Sequence, residues 1–471
     1  MQIQSRIATL RGWFKANGDL AAATFFLTLL VSPALLELLI VRPSQMRELL
    51  VLGIAFLLFV FAAWRTARRI GLTWRHVGTI LRTGGRRPEL VLFVLWIAVL
   101  GVHTLIGRGD NPHIPFGYFA FFFAVYLVDL YFAVTGRQSR QLRILYLLIA
   151  VVAVACFRGM FVLAAEPMVA REMSTGSFPE AKRHLYHLLG VGGFEFFTGL
   201  GCVFPMLVYY RMTASRRRTM TVLLVLVLLG LLFAGYTLAI VFTGLGLFVL
   251  LVYSFVRLRG PELKALIRIC LLLLLVIALF LSLGHAFHLY QSQLYLMKIV
   301  DVARIAADRV LGIELKVYSP PGLHESLVEM GSSSEERLEL YSRSIRTFLD
   351  HPLTGVGSRV NTGDFSQVGG HSTWLDYLAM YGLLWFAPFL LLYALLFRRL
   401  HRMVASRTEK AYRMTSFLVY TLYGLVNPVV ATAVFPVVLL FFITGRVVLP
   451  GEASLVPAPA ALPRPVGSSE K

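Results

Sequence analysis

The sequence predicts an all-α polytopic membrane protein of about twelve transmembrane helices with a large, partly helical outer loop between the ninth and tenth. Three observations predict it. Hydrophobic residues make up 57% of the 471 and mean hydropathy is +0.72, while only 15% are charged; soluble domains carry about 25%. The hydrophobic residues are gathered into runs long enough, as helices, to cross a roughly 30 Å hydrocarbon core. The basic residues sit between the runs, and the short basic connections all fall on one side, as the positive-inside rule requires.

The runs lie near 19–40, 48–64, 89–107, 116–135, 144–165, 192–210, 220–236, 238–256, 269–290, 373–397, 414–428 and 429–445. The stretch 220–256 is the least distinct, because its two runs touch with almost no loop. Four segments follow: 1–290 with helices one to nine, the outer loop 291–371, 372–446 with helices ten to twelve, and the proline-containing tail 447–471, which has little that could pack. With the N-terminus inside, most of the 45 Lys and Arg are cytoplasmic, in stretches such as RTARRIGLTWRHVGTILRTGGRR (65–87), RMTASRRR (211–218) and RRLHRMVASRTEKAYR (398–413). An odd helix count would break this agreement, so both termini are expected inside. The net charge of +20 is therefore a topology signal and not a nucleic-acid footprint.

The N-terminal Arg6, Arg11 and Lys15 precede an apolar stretch that runs to Ile40 without a clear cleavage site, so it reads as the first helix and not as a signal peptide. Cys156, Cys202 and Cys270 all fall inside predicted spans, which gives neither a disulfide framework nor a metal cluster. DxD and HExxH patterns are lacking, so no metal or other cofactor is expected.

The segment 291–371 is too long for a connector and too polar for a span. QLYLMKIVDVARIAADRVLG has helical periodicity, with Lys298, Asp301, Arg304 and Asp308 along one stripe. SPPG (319–322) breaks it, and SSSEERLELYSRSIRTFLDHP (332–352) starts a new helix, with Ser333 and Glu336 spaced as a capping box and Pro352 as its limit. On a wheel at about 100° per residue, Leu338, Tyr341, Ile345, Phe348 and Leu349 share one face. Glu339 and Arg343 form an i,i+4 pair. Arg337 borders the apolar face beside Tyr341, Ser344 and Phe348. It is either a snorkelling arginine or a ligand for an anion at the membrane surface. A glycine-rich stretch then leads to His371.

Ionisable residues inside spans are functional candidates. Arg158 lies about 10 Å from the outer end of the fifth run, and Glu195 lies at a comparable depth in the sixth. They either pair with each other, or Arg158 faces a cavity and binds phosphate.

The run SSSEERLELYSRSIRTFLDHPLTGVG, a gap, and GGHSTWLDYLAMYGLLWF resemble the signature region of the O-antigen ligase/polymerase superfamily. That pattern has an arginine-bearing helix start, an hPLxGxG turn, and a His followed by Ser or Asn at a helix start with Gly ten residues later, matched by His371, Ser372 and Gly382. The outer loop before the tenth helix extends the resemblance to most of the chain. The sequence departs from the family at VFTGLGLF (241–248), where family members carry an arginine; Arg158 is the candidate substitute.

The resemblance implies a bacterial inner-membrane glycosyltransferase that takes a glycan from undecaprenyl pyrophosphate and joins it to an acceptor hydroxyl on the outer face, without nucleotide sugar, metal or cofactor. It implies His371 as general base and Arg337 as the residue facing the pyrophosphate. Arg158, Arg304, Arg343, Arg346 and Arg359 become further phosphate candidates, with Ser372 and Glu195 on the substrate side. Arginine suits the task through its planar, bidentate donors. The bland alternative has His371 capping the tenth helix, or Ser372 capping it and leaving His371 to the cavity. The implied partners are the lipid-linked glycan, an acceptor glycan or lipid A core, membrane lipids and a chain-length regulator, with no nucleic acid. A polymerase of O-antigen, capsular or exopolysaccharide repeat units, a ligase acting on lipid A core, and a twelve-helix transporter or lipid flippase all remain open. A transporter of the major facilitator type would put its longest loop inside, between helices six and seven.

Overall fold

The computed structural model describes residues 2–32, 45–69, 88–106, 113–135, 138–173, 179–257, 260–287, 289–293, 334–357, 372–402, 406–427 and 434–445, with a few single residues between them. The described secondary structure is helical throughout. Besides a single turn at Val169–Glu172, the helices in chain order are α1 (Gln2–Val31), α2 (Gln45–Arg69), α3 (Pro88–Leu105), α4 (His113–Val134), α5 (Gln138–Ala165), α6 (Glu180–Leu188), α7 (Phe194–Thr213), α8 (Arg217–Phe233), α9 (Thr237–Arg257), α10 (Pro261–Ala286), α11 (Ser334–Asp350), α12 (Thr373–Arg402), α13 (Arg407–Val426) and α14 (Val434–Pro436). The last runs on as a π-helix over Val437–Ile443.

Every apolar run of the sequence lies largely on a helix, with shifted ends. α1 begins at Gln2 and bends at Asn17. α10 begins at Pro261, behind Gly260 at φ +75°, because proline suits a first helical turn. The indistinct stretch 220–256 is two helices, parted at Gly235 with φ +71°. Five helices are long and apolar enough to cross a membrane among the described residues: α2 over Leu50–Arg69, α5 over Gln141–Ala165, α9 over Thr237–Val256, α10 and α12. The protein is therefore a helical membrane protein. Its outer surface fits that solvent, since Leu57, Phe61, Leu271 and Leu274 are all at least 60% exposed.

α7 is the hub. It packs on α8, α9, α13 and the π-helix, and nearly every side chain from Phe196 to Val208 is buried. Close approach relies on glycine. A Cβ on Gly201 would stand 3.0 Å from the Ala239 carbonyl oxygen of α9, and one on Gly199 2.9 Å from Val434. α12 packs on α3 through Trp96, whose ring meets Tyr381, Phe386 and Phe389.

Charges are buried at the end of the bundle where α12 finishes and α13 starts. Arg399 of α12 lies 3.6 Å from the Asp129 carboxylate of α4, which also accepts from Gln141. Arg413 is fully buried. Its guanidinium holds Glu409 at 3.0 Å and donates to the carbonyls of Phe442, Ile443 and Gly445. The Phe442 and Ile443 carbonyls end the π-helix and Gly445 lies just past it, so a cation from α13 caps the last helix among the described residues.

Candidate functional site

The opposite end of α12 carries the candidate site. Ser372 caps the helix: its Oγ accepts from the Leu375 N–H at 3.1 Å. Asp376, one turn on, returns the favour and accepts from the Ser372 N–H at 2.8 Å. This is a reciprocal capping arrangement with the acid one place later than usual. Ser372 Oγ also donates to the Gly424 carbonyl at 3.2 Å. Thr373 Oγ1 donates to the Asn427 carbonyl and accepts from the Val429 N–H at 2.7 Å. The start of α12 is thus stitched to the end of α13, and Ser372, Thr373 and Asp376 are all buried.

α11 docks on this junction through polar contacts. Ser344 Oγ donates to Asp376 at 2.7 Å, and Tyr341 Oη donates to the Val426 carbonyl at 2.8 Å. Ser344 is buried, whereas Ile345 is 44% and Leu349 67% exposed. The inward line is therefore Tyr341, Ser344 and Phe348. Ile345 and Leu349 flank this line on the same broad face but stay exposed, at its outer edge. The wheel ranked residues by apolarity, but the rotation is set by a serine that finds a buried carboxylate. Arg337 is four residues before Tyr341 in the same helix, which puts its position on the inward line.

The turn after α11 enters α12. In an unbroken helix the N–H groups of Leu383 and Leu384 would bond the carbonyls of Ala379 and Met380. Instead Leu383 N–H donates to the Pro352 carbonyl at 2.8 Å and Leu384 N–H to the Leu353 carbonyl at 2.9 Å. The freed carbonyls of Ala379 and Met380 accept from Val356 at 3.1 Å and Gly357 at 2.8 Å. The segment 352–357 thus replaces these bonds of the helix. Both glycines are obligatory. Gly382 has φ +62° and Gly355 φ +62°, and a Cβ on Gly355 would lie 2.3 Å from the Met380 carbonyl oxygen. The PLTGVG turn and the glycine ten residues after Ser372 are two halves of one joint.

The structure brings Ser372 together with the helix that carries Arg337, Arg343 and Arg346. Arg343 pairs with Glu339 at 3.0 Å, and Glu339 is 72% exposed. Arg346 is exposed. Arg158 is elsewhere: it donates to the Leu188 carbonyl at 3.0 Å, where α6 ends, and is exposed. Beside it, the hydrogen bond to Glu166 pushes the Tyr186 phenol up to about 12. His371, Arg304 and Arg359 lie outside the described residues, as do the side chains of Arg337 and Glu195. Sequence reasoning missed Asp376 and Ser344. An acid in the first turn of a predicted span is the signal that marks Asp376; Ser344 has no comparable mark.

The sequence matches no model of a known protein family and no curated protein. The likeness to the O-antigen ligase/polymerase superfamily rests on the residues quoted for it.

Proposed function

We propose that the protein is a membrane glycosyltransferase that polymerises lipid-linked repeat units on the outer face of a bacterial inner membrane. The observation that carries this reading is the joint between Gly355 and Gly382. Two of the motif pieces that suggested the family, the PLTGVG turn and Gly382, meet in the first turns of α12, next to α11, which carries three arginines. The proposal includes twelve crossings, the 291–371 segment outside and both termini inside, as the distribution of Lys and Arg supports.

In the proposed reaction an acceptor sugar hydroxyl attacks the anomeric carbon of the donor glycan. The new glycosidic C–O bond forms as the bond to pyrophosphate breaks, and undecaprenyl pyrophosphate leaves with the electron pair. His371 takes the hydroxyl proton. Arg337 and other arginines of the loop stabilise the departing charge with bidentate donors. Ser372 and Asp376 stand behind this surface, since their polar atoms hold the helix start and α11. They fix the backbone next to His371 and do not face substrate.

The test is reconstitution of purified protein with undecaprenyl-pyrophosphate-linked repeat units. Longer glycans in the absence of nucleotide sugar are expected. Transfer only to lipid A core identifies the ligase reaction, and no transfer at all removes the glycosyltransferase reading. Sidedness has its own check: cysteine at Ser332 is expected to react with a membrane-impermeant maleimide from the outer side, and labelling only after inner-membrane lysis overturns the topology.

A further inference from the structure

A groove of about 780 Å³ opens between α9, α12 and α13. Its walls are apolar, with Val249, Leu390, Phe397 and Leu418 among them, and Phe397 and Leu418 remain more than 40% exposed. Tyr393 and Thr421, joined by a hydrogen bond, line one end. Its other end holds two cations, Arg407 and Lys410, in the first turn of α13. From Arg407 to Thr421 the helix rises about 21 Å, somewhat more than one leaflet's roughly 15 Å half of the hydrocarbon core.

The charge at that end is unbalanced within the groove. The acids of the same region face other ways: Glu409 is held by Arg413 and accepts from Tyr209, and Glu262 of α10 accepts from Thr408. Arg407 and Lys410 are left lining the mouth, with an apolar trough below them. A volume of this size is typical of ligand pockets, about 300–1,000 Å³, and basic pockets between membrane helices suit anionic head groups.

We propose that this groove holds an anionic glycerophospholipid of the leaflet at the basic end, its phosphate on Arg407 and Lys410 and an acyl chain along α13 towards Thr421. The site is independent of the glycosyltransferase reading and requires only that the chain is a membrane protein. The lipid would seal the α9–α12–α13 seam, which the helices leave open to the bilayer.

The experiment is native mass spectrometry of the full-length protein in detergent, mixed with equal amounts of phosphatidylglycerol and phosphatidylcholine, and separately with a polyprenyl monophosphate. Each basic side chain is expected to contribute about fivefold to head-group preference. Retention of phosphatidylglycerol over phosphatidylcholine is therefore expected to exceed tenfold, to fall below threefold in Arg407→Gln/Lys410→Gln, and to collapse for both lipids when Ala411→Phe fills the groove. Equal retention of the two phospholipids by the unaltered protein overturns the proposal without recourse to any variant. So does a preference that survives the double substitution, or stronger retention of the polyprenyl phosphate than of phosphatidylglycerol. Thermal unfolding of each preparation identifies a variant that has lost its fold, in which case the unaltered protein's head-group ratio decides.

Discussion

The two ends of α12 both bury charge, and they solve the problem in opposite ways. At the end near Arg399 the partners are charged or are helix-closing carbonyls: Arg399 meets Asp129, and Arg413 meets Glu409 and three backbone oxygens. At the end near Ser372 a single carboxylate, Asp376, is held by a hydroxyl and a backbone N–H. The first arrangement consumes its cations in tying helices together. The second uses a hydroxyl and a backbone N–H to fix a helix start and a docked helix. The end with more basic residues is thus tied up in contacts between helices, while the end with fewer is where α11 docks.

The comparison is broken most severely through the joint. Gly355→Ala adds a Cβ onto the Met380 carbonyl oxygen at a positive φ, which separates 352–357 from α12 and is expected to abolish activity and cost more than about 4 kcal/mol. Gly244→Ala, where a Cβ meets nothing within 4 Å, is the matched control and should be close to neutral. Thermal unfolding of both proteins in detergent checks this; equal effects would dissolve the joint.

Next in size is the basic end. Arg413→Met removes the partner of buried carbonyls and of Glu409 and is expected to cost about 3–5 kcal/mol, with equilibrium unfolding as the readout. Glycan transfer per folded molecule should be unchanged if this end is structural. Lower transfer per folded molecule would erase the contrast between the two ends.

Ser344→Ala leaves a buried carboxylate one donor short and is expected to cost about 1–3 kcal/mol. In a double-mutant cycle with Asp376→Asn, a coupling near zero would mean that the serine does not set the rotation of α11. The smallest change expected is Arg343→Lys, because its pair with the exposed Glu339 is worth under about 1 kcal/mol and lysine can keep it. Arg337→Lys keeps the charge, loses the fork, and should cost much more transfer at matched expression. The reverse order would reassign the ligand side of α11.

Much of this fold was legible because a membrane helix announces itself by local composition. The split at Gly235, the end of α11 before Pro352 and the pair Glu339–Arg343 needed only neighbouring residues. Five helices among the described residues stand out by length and apolarity, where the sequence predicts about twelve crossings. What escaped was tertiary. Arg413 counts as one more loop cation until the π-helix carbonyls are placed around it. The rotation of α11 depends on Asp376, 32 residues away, and no wheel contains that partner. The candidate site was legible as a motif, but the backbone exchange that makes Gly355 and Gly382 necessary was not.

The central claim is that the chain end just before α12 performs the chemistry, with His371 as its base. Its most direct test is His371→Ala in vesicles charged with lipid-linked repeat units, at matched protein and with an unfolding curve beside each assay. The account predicts a fall in glycan extension of at least about 100-fold with an unchanged unfolding midpoint. Extension at the unaltered rate in a folded His371→Ala protein would contradict it.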